Sequence, residues 1–139
     1  MPTHVHLILK QLEPDGISTF MRKVLDSFSK YFNIKSNRHG PLWESRFKDV
    51  LVTSDEQLLH LTRYLHLNPV SAGLVKRPEQ WPFSSYGEYI SKKTESNLCS
   101  WDGLFEFDSK RYEKFVHDRI SYQRSLSRIK RLLNKNYTG

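Results

Sequence analysis

The side chains in this sequence that are best suited to chemistry belong to two pairs of residues. His4 and His6 lie in a stretch, residues 3–10, where apolar and other residues alternate, which predicts a strand that points both imidazoles the same way. Tyr64 and Asn68 are four residues apart in a segment predicted to be helical, so they share one helix face. Two imidazoles, an amide oxygen and a phenol together predict a site for one divalent cation and one phosphate.

This set of side chains predicts a metal-assisted tyrosine nucleophile. Two neutral imidazoles and a carboxamide oxygen leave positions open around a divalent ion for water and for a phosphate oxygen. Phosphate and hard oxygen ligands favour Mg²⁺, whereas imidazoles shift the preference toward Mn²⁺, so we name both as candidate cofactors. A tyrosine hydroxyl, whose free pKa is about 10, needs a base or a positive charge nearby to attack phosphorus. Arg63, His66 and the ion itself are the candidates for that activation.

Each pair alone has a more ordinary interpretation. Two histidines on one strand face are more often surface residues than metal ligands, and a tyrosine at the margin of a helix usually packs its ring and exposes its hydroxyl. His39, His60 and His66 are predicted to be solvent-side or capping residues. The hypothesis of a metal site therefore depends on the combination of the two pairs.

The composition limits the class of partner. Lys and Arg number 22 and Asp and Glu number 15, a formal charge of +7, with the excess in the last thirty residues and between Lys35 and Lys48. This balance favours a polyanion such as nucleic acid; a basic protein without such a partner is the alternative. Cys99 is the only cysteine, which excludes an internal disulfide. Because no apolar run reaches membrane-spanning length and no secretory leader follows Met1, we expect a cytoplasmic protein.

Two strands and three longer helices are predicted. Residues 3–10 and 43–52 are the strands, and a long helix is predicted from Asp108 onward. Another helix follows the turn at residues 13–16, and its apolar residues recur at three- and four-residue intervals, so we expect them to be core. This face comprises Ile17, Phe20, Met21, Val24, Leu25, Phe28 and Phe32.

The helix that carries Tyr64 has clear start and stop signals. Ser54 and Gln57 fit a capping box, so the helix should begin near Asp55. Pro69 should interrupt or end it just past Asn68, because proline disfavours the α conformation of the residue before it. The expected buried stripe comprises Leu58, Leu61 and Leu65.

Four segments, in this order and spacing, resemble the single-tyrosine HUH transposases, in particular the REP-associated tyrosine transposases and their insertion-sequence relatives. The first looks like the family's Met-Pro-Asn-His-Val-His-Leu strand, with Thr3 in place of asparagine, and the third resembles its tyrosine helix with the turn that follows. The resemblance covers residues 1 to about 90. The segments are residues 1–7 (MPTHVHL), 40–47 (GPLWESRF), 64–75 (YLHLNPVSAGLV) and 81–86 (WPFSSY).

The resemblance implies a fold, a substrate and a role for each residue of the site. The implied fold is α+β, a small antiparallel sheet with flanking helices of the ferredoxin-like or RRM-like kind, with the histidine strand central. His4, His6 and Asn68 would bind Mg²⁺ or Mn²⁺, and Tyr64 would attack DNA to leave a 5′-phosphotyrosine and a free 3′-hydroxyl. The implied substrate is single-stranded DNA at or beside a hairpin of a palindromic repeat, which the transposase would cleave and rejoin.

The resemblance also implies an unusual start. Family members normally have a strand and a helix before the Met-Pro motif, so we expect residues 1–90 to be a domain truncated at its amino terminus, followed by a basic, mainly helical extension over residues 91–139. The exposed sheet edge of such a domain would favour pairing with another chain, which makes a homodimer one expectation. Two other functions stay open: a catalytically inactive DNA-binding remnant and, if the constellation is accidental, a basic scaffold or RNA-binding protein.

Candidate DNA contacts lie between the motifs and in the last helix. Arg38, Arg46 and Lys48 are candidates to hold phosphates, and Trp43 is a candidate to stack on an unpaired base. A solvated basic loop and core packing are the respective alternatives. The basic helix predicted from Asp108 either holds the hairpin stem or packs on the domain.

Overall fold

Helices make up all the regular secondary structure in the computed structural model over the residues that it describes, which are 1, 3–90, 99–100 and 108–135, the last eight by backbone alone. None of these helices combines the length and the apolar character needed to cross a membrane. The α-helices are α1 (Gly16–Lys35), α2 (Asp55–Ser71), α3 (Tyr86–Tyr89), α4 (Ser109–His117) and α5 (Ile120–Lys135), and a 3-10 turn spans Pro78–Gln80.

The predicted α+β fold is wrong for the described residues, because neither residues 3–10 nor residues 43–52 form a strand. An alternating pattern marks a backbone that can extend, but a strand also needs a neighbour whose amide and carbonyl groups pair with its own. No backbone hydrogen bond joins either stretch to another described segment, and Val5 and Val50 are exposed. The sheet edge that motivated the homodimer is likewise absent from this part of the chain.

The chain divides into two compact units, of which the smaller is Leu7–Leu51. It consists of α1 and irregular segments on either side. The amphipathic helix is confirmed, but none of its residues is buried, so the prediction that its apolar face is core is wrong. Phe20, Val24 and Phe28 are 45%, 40% and 46% exposed. Spacing identifies an apolar stripe, whereas burial depends on what covers that stripe.

The larger unit, Met1–His6 with Val52–Gly139, has an aromatic core. Its members come from α2, α3 and α4, so residues far apart in sequence share one core. The helix predicted from Asp108 is confirmed at its start, where the Asp108 carboxylate caps α4, but a turn at residues 118–119 separates it into α4 and α5. The core residues are Leu67, Tyr86, Tyr89, Tyr112 and Val116, each at most 7% exposed.

The start of α2 is confirmed. Ser54 Oγ accepts a hydrogen bond from the Gln57 amide at 3.1 Å, and the helix begins at Asp55. Gln57 Oε1 reaches back to the amide of Thr53, at 2.8 Å, rather than to that of Ser54. The first bond satisfies an amide that the first turn of a helix leaves without a partner, and the second ties the residue before the cap to that turn.

The predicted end of α2 is wrong, because the helix continues through Pro69 to Ser71. Proline lacks the amide that would bond one turn back, and this loss is tolerated where packing holds the helix together. Pro69 is itself buried, and its carbonyl accepts from the Leu74 amide at 3.0 Å in the turn that follows.

The buried face of α2 is also different from the predicted one. Leu58, Leu61 and Leu65 are only partly buried. His66, predicted to face solvent, is 3% exposed. The fully buried residues of α2 are Thr62, His66, Leu67, Pro69 and Val70.

Candidate nucleophile site

Tyr64 lies on the exposed side of α2 and opens onto a cavity of about 300 Å³. Tyr64 is 46% exposed, so a ligand can approach it. One wall of the cavity is α2 and the other is the junction of α4 with α5, which the shared core brings together. The lining residues are His60, Arg63, Tyr64, Leu67, Arg119, Tyr122 and Gln123.

Arg63, the residue before Tyr64, is held from two sides. Its Nη2 donates to His60 Nδ1 at 2.7 Å, and its guanidinium carbon lies 4.0 Å from the centre of the Phe115 ring. Because a guanidinium only donates, His60 Nδ1 is the acceptor and the neutral ring carries its proton on Nε2. Nδ1 of His60 therefore orients Arg63 and is not free to act as a base toward Tyr64.

Two like charges meet at this cavity. Partial burial and then the charge of Arg119 lower the pKa of Arg63 from its ordinary value, with Tyr112 opposing the shift. The salt bridges found within the described ranges leave both guanidiniums without a carboxylate. Arg119 rests beside the ring of Tyr122, with 5.2 Å from the guanidinium carbon to the ring centre. Two cations without a carboxylate partner among the described residues favour an anion, and guanidinium matches the geometry of phosphate.

His4 and His6 lie side by side even though no strand forms there. Their ring centres are 4.8 Å apart at an angle of 79°, and His4 Nδ1 shares a hydrogen bond of 3.0 Å with Thr3 Oγ1. Desolvation, then His4, then the amino terminus lower the pKa of His6. Since a neutral imidazole is the form that binds a metal, the donor chemistry of this pair fits a divalent cation.

Asn68 lies one helical turn after Tyr64 on α2 and is partly buried. Both residues belong to the larger unit, which also contains the histidine pair. Because α2 continues to Ser71, Asn68 lies within the helix rather than at its end, and its direction is fixed by the helix backbone.

Two of the predicted DNA contacts have partners within the smaller unit. Arg38 donates from Nη1 to Asn33 Oδ1 at 3.2 Å and from Nη2 to the carbonyl of Pro41 at 2.9 Å, so it fastens the loop after α1. Trp43 donates from Nε1 to the carbonyl of Leu25 at 3.3 Å. Its ring centre lies 5.8 Å from that of Phe28, which fits the packing interpretation of this residue.

The other two predicted contacts, Arg46 and Lys48, are exposed in the irregular segment before α2. Basic groups also surround an open cavity of about 490 Å³ in the smaller unit, between the end of α1 and the loop that Arg38 fastens. This cavity is lined by Lys30, Asn33, Ile34, Asn37, Arg38, His39 and Gly40.

Sequence reasoning missed Arg119 and Tyr122 as neighbours of Tyr64. They come from the carboxy-terminal segment, whose basic surplus was the only signal in the sequence. Which of its cations reaches the tyrosine depends on the core contacts of α4, made by Tyr112 and Val116, and no local pattern specifies those contacts.

Two curated relatives, from Haemophilus influenzae and from Escherichia coli K12, are named as REP-associated tyrosine transposases. The first is 28% identical over 113 residues, which is 74% of this chain and 63% of the relative. The second is 27% identical over 93 residues, 66% of this chain and 53% of the relative. The chain therefore spans between about half and two thirds of the length of these relatives. No family model and no solved structure matches it.

Proposed function

Because the chain belongs to the family of the REP-associated tyrosine transposases, we propose that it cleaves and rejoins single-stranded DNA beside hairpins, with Tyr64 as the nucleophile. One observation carries the proposal: the half-exposed Tyr64 opens onto a cavity that also contains Arg63 and Arg119. A phenol that shares a cavity with two cations, neither paired with a carboxylate in the described part of the chain, suits an attack on a phosphodiester.

In the proposed reaction Tyr64 Oη forms a bond to phosphorus while the bond from phosphorus to the 3′-oxygen breaks. The phenolic proton passes to solvent, which the exposure of the side chain permits, and the leaving 3′-oxygen takes up a proton. The product is a 5′-phosphotyrosine and a free 3′-hydroxyl. A 3′-hydroxyl that attacks this phosphotyrosine restores a phosphodiester and releases Tyr64, so rejoining needs no external energy source.

Arg63 and Arg119 bind the phosphate oxygens in this scheme. Negative charge that develops on these oxygens lies beside two guanidiniums that already line the cavity. His60 and the ring of Phe115 hold Arg63 in place. The pair thereby orients the phosphorus toward Tyr64 and stabilises the charge of the transition state.

His4, His6 and Asn68 are the residues that would hold Mg²⁺ or Mn²⁺. When bound there, such an ion supplies Lewis-acid polarisation of a phosphate oxygen. The lowered pKa of His6 supports this role, since its ring is neutral near pH 7 and needs to lose no proton to bind an ion.

Arg46 and Lys48 are proposed to contact phosphates outside the reacting bond, because both are exposed cations on an irregular segment. Arg38 and Trp43 are proposed to lie on the same DNA-binding surface as Arg46 and Lys48. Their bonds to Asn33, Pro41 and Leu25 leave them a supporting role, in which they shape the loop that DNA would meet.

The proposal is tested by incubating the chain with labelled single-stranded hairpin DNA and Mn²⁺ and running a denaturing gel. A covalent protein–DNA adduct is expected, and Tyr64→Phe should abolish it while DNA binding persists. Tyr122→Phe is the matched control, because Tyr122 lines the same cavity and is 54% exposed. Binding without an adduct in the wild type would instead support the DNA-binding remnant.

A further inference from the structure

Three metal-ligating side chains meet at a place distinct from the histidine pair. Glu79 comes from the 3-10 turn, and Glu113 and His117 are one turn apart on α4. One ligand atom from each lies within 4.8 Å of the other two, and all three side chains are partly buried. We propose that these residues bind a divalent transition-metal ion, best fitted by Zn²⁺, at a site that joins the 3-10 turn to α4.

A buried hydroxyl without a partner points to the same place. Tyr86 is 1% exposed, and its Oη has no hydrogen-bond partner among the described residues. Burial, then the charges of Glu79 and Glu113, raise the pKa of this hydroxyl, so it lies close enough to both carboxylates to sense them. Buried polar atoms are nearly always paired, and an ion with its bound water would supply the missing partner.

A second buried oxygen without a hydrogen-bond partner among the described residues belongs to Glu79. Its Oε2 makes no hydrogen bond to any described residue. Arg77 Nε lies 3.7 Å from this oxygen, and the side chain of Arg77 is 62% exposed. An exposed arginine is a weak counter-charge for this carboxylate, whose other ion-pair partner among the described residues is His117.

The ligand chemistry favours zinc over magnesium. One imidazole and two carboxylates are N and O donors that zinc binds at about 2.0–2.2 Å, and three such donors leave a fourth position for water. The imidazole disfavours Mg²⁺, and zinc precedes Mn²⁺ in the general order of affinity. His117 Nε2 and Glu79 Oε1 are 2.5 Å apart, a hydrogen bond that a bound ion would replace.

The position of the site gives it a structural consequence. His117 ends α4, and Arg119 follows two residues later at the edge of the Tyr64 cavity. An ion that ties His117 and Glu113 to Glu79 would fix the junction of α4 with α5, and so the direction of Arg119.

The test measures metal binding by the full chain, without reference to activity. The background variant carries His4→Ala, His6→Ala and Cys99→Ser, which removes the predicted catalytic pair and the exposed thiol as competing ligands. After dialysis against Zn²⁺ and removal of free ion, about one equivalent of zinc should remain, and saturating Zn²⁺ should raise the Tm by about 5 °C or more. Zinc content near zero with an unchanged Tm would overturn the proposal.

Single substitutions in that background assign the ligands. Glu113→Gln and His117→Gln should each weaken Zn²⁺ binding at least about tenfold, whereas His39→Gln, at an exposed histidine of the other unit, should not. Co²⁺ provides a readout that a merely structural change would not mimic: the background variant should show visible absorption of a four- or five-coordinate ion, which is lost in Glu113→Gln. Equal affinity in all three variants, or no absorption with Co²⁺, would contradict the assignment. If His117→Gln fails to fold, Glu113→Gln carries the test alone.

Discussion

His66 shows at the scale of one residue how the core of the larger unit is specified. Its Nδ1 and the hydroxyl of Tyr112 are 2.7 Å apart, and its Nε2 and the hydroxyl of Ser85 are 3.0 Å apart. The rings of Tyr86, Tyr89 and Tyr112 meet it edge-on, with ring centres 4.8–5.7 Å away. Both nitrogens are thus satisfied without a charge, and burial lowers the pKa of His66 to about 3.

This shift makes stability depend on pH in a defined direction. Below about pH 6.5 the unfolded chain binds a proton at His66 that the folded chain refuses until about pH 3. The free energy of unfolding is therefore fully retained above pH 6.5 and falls by about 1.4 kcal/mol per unit as the pH decreases toward 3. In urea unfolding, the wild type should lose about 2 kcal/mol more than His66→Gln between pH 7 and pH 5.

His39→Gln is the control for this measurement, because His39 is exposed in the other unit. It should keep the wild-type loss of stability. The same loss in all three proteins would mean that the pH dependence does not come from His66.

For single residues, the sequence predicted which side chains could do chemistry better than it predicted what surrounds each of them. Tyr64 and the histidine pair were selected from their types and spacing and from the family resemblance, and their roles stay predictions. The prediction for His66 was wrong because its partners Ser85 and Tyr112 lie far along the chain. A helix position alone does not reveal that a polar ring will find two hydroxyl groups in the core.

At the scale of elements, the junction of α4 with α5 places Arg119 at the cavity that Tyr64 also lines. Replacing Arg119 by glutamine should weaken binding of single-stranded DNA by about three- to tenfold and reduce the salt slope of log K by about 1, because one phosphate contact is lost. Titration at several salt concentrations measures both quantities.

Lys110→Gln is the matched control for Arg119, since it removes the same charge from an exposed position of α4 that does not line the cavity. Its effect on affinity should be much smaller. Equal effects of the two substitutions would show that net charge, rather than the Arg63–Arg119 pair, determines binding.

The cap of α2 supports the element that carries Tyr64. Ser54→Ala removes the oxygen that accepts from the Gln57 amide and should lower the free energy of unfolding by about 1 kcal/mol. Urea denaturation measures this change as a shift of the midpoint at constant slope. Ser121→Ala, on the exposed side of α5, is the control and should have little effect; if Ser54→Ala is equally neutral, the capping bond contributes nothing.

The helices were predictable and the strands were not, for a physical reason. Residues 16–35 and 55–71 carry their own signals, a three- and four-residue apolar spacing and a serine cap, and helical hydrogen bonds are local. A strand at residues 3–10 depends on another segment for its hydrogen bonds, and the alternation of side chains does not show whether that segment exists.

At the scale of the whole molecule, the carboxy-terminal segment is part of the core of the larger unit. Tyr112 and Val116 are 1% and 0% exposed, and they share this core with residues of α2 and α3. Deleting residues 108–139 should therefore abolish cooperative unfolding of this unit and not merely weaken DNA binding. Circular dichroism during urea denaturation checks this. Deleting only residues 128–139 is the control and should preserve a cooperative transition; a cooperative transition in both would contradict the assigned core.

The proposed function requires that Tyr64 becomes covalently joined to DNA. The most direct measurement is mass spectrometry of the proteolysed chain after reaction with single-stranded hairpin DNA and nuclease digestion. We predict a peptide containing Tyr64 that carries a 5′-linked nucleotide on the tyrosine oxygen, with a free 3′-hydroxyl on the released strand. DNA that is cleaved while the Tyr64 peptide stays unmodified, or a nucleotide attached to Tyr122 instead, would contradict the account.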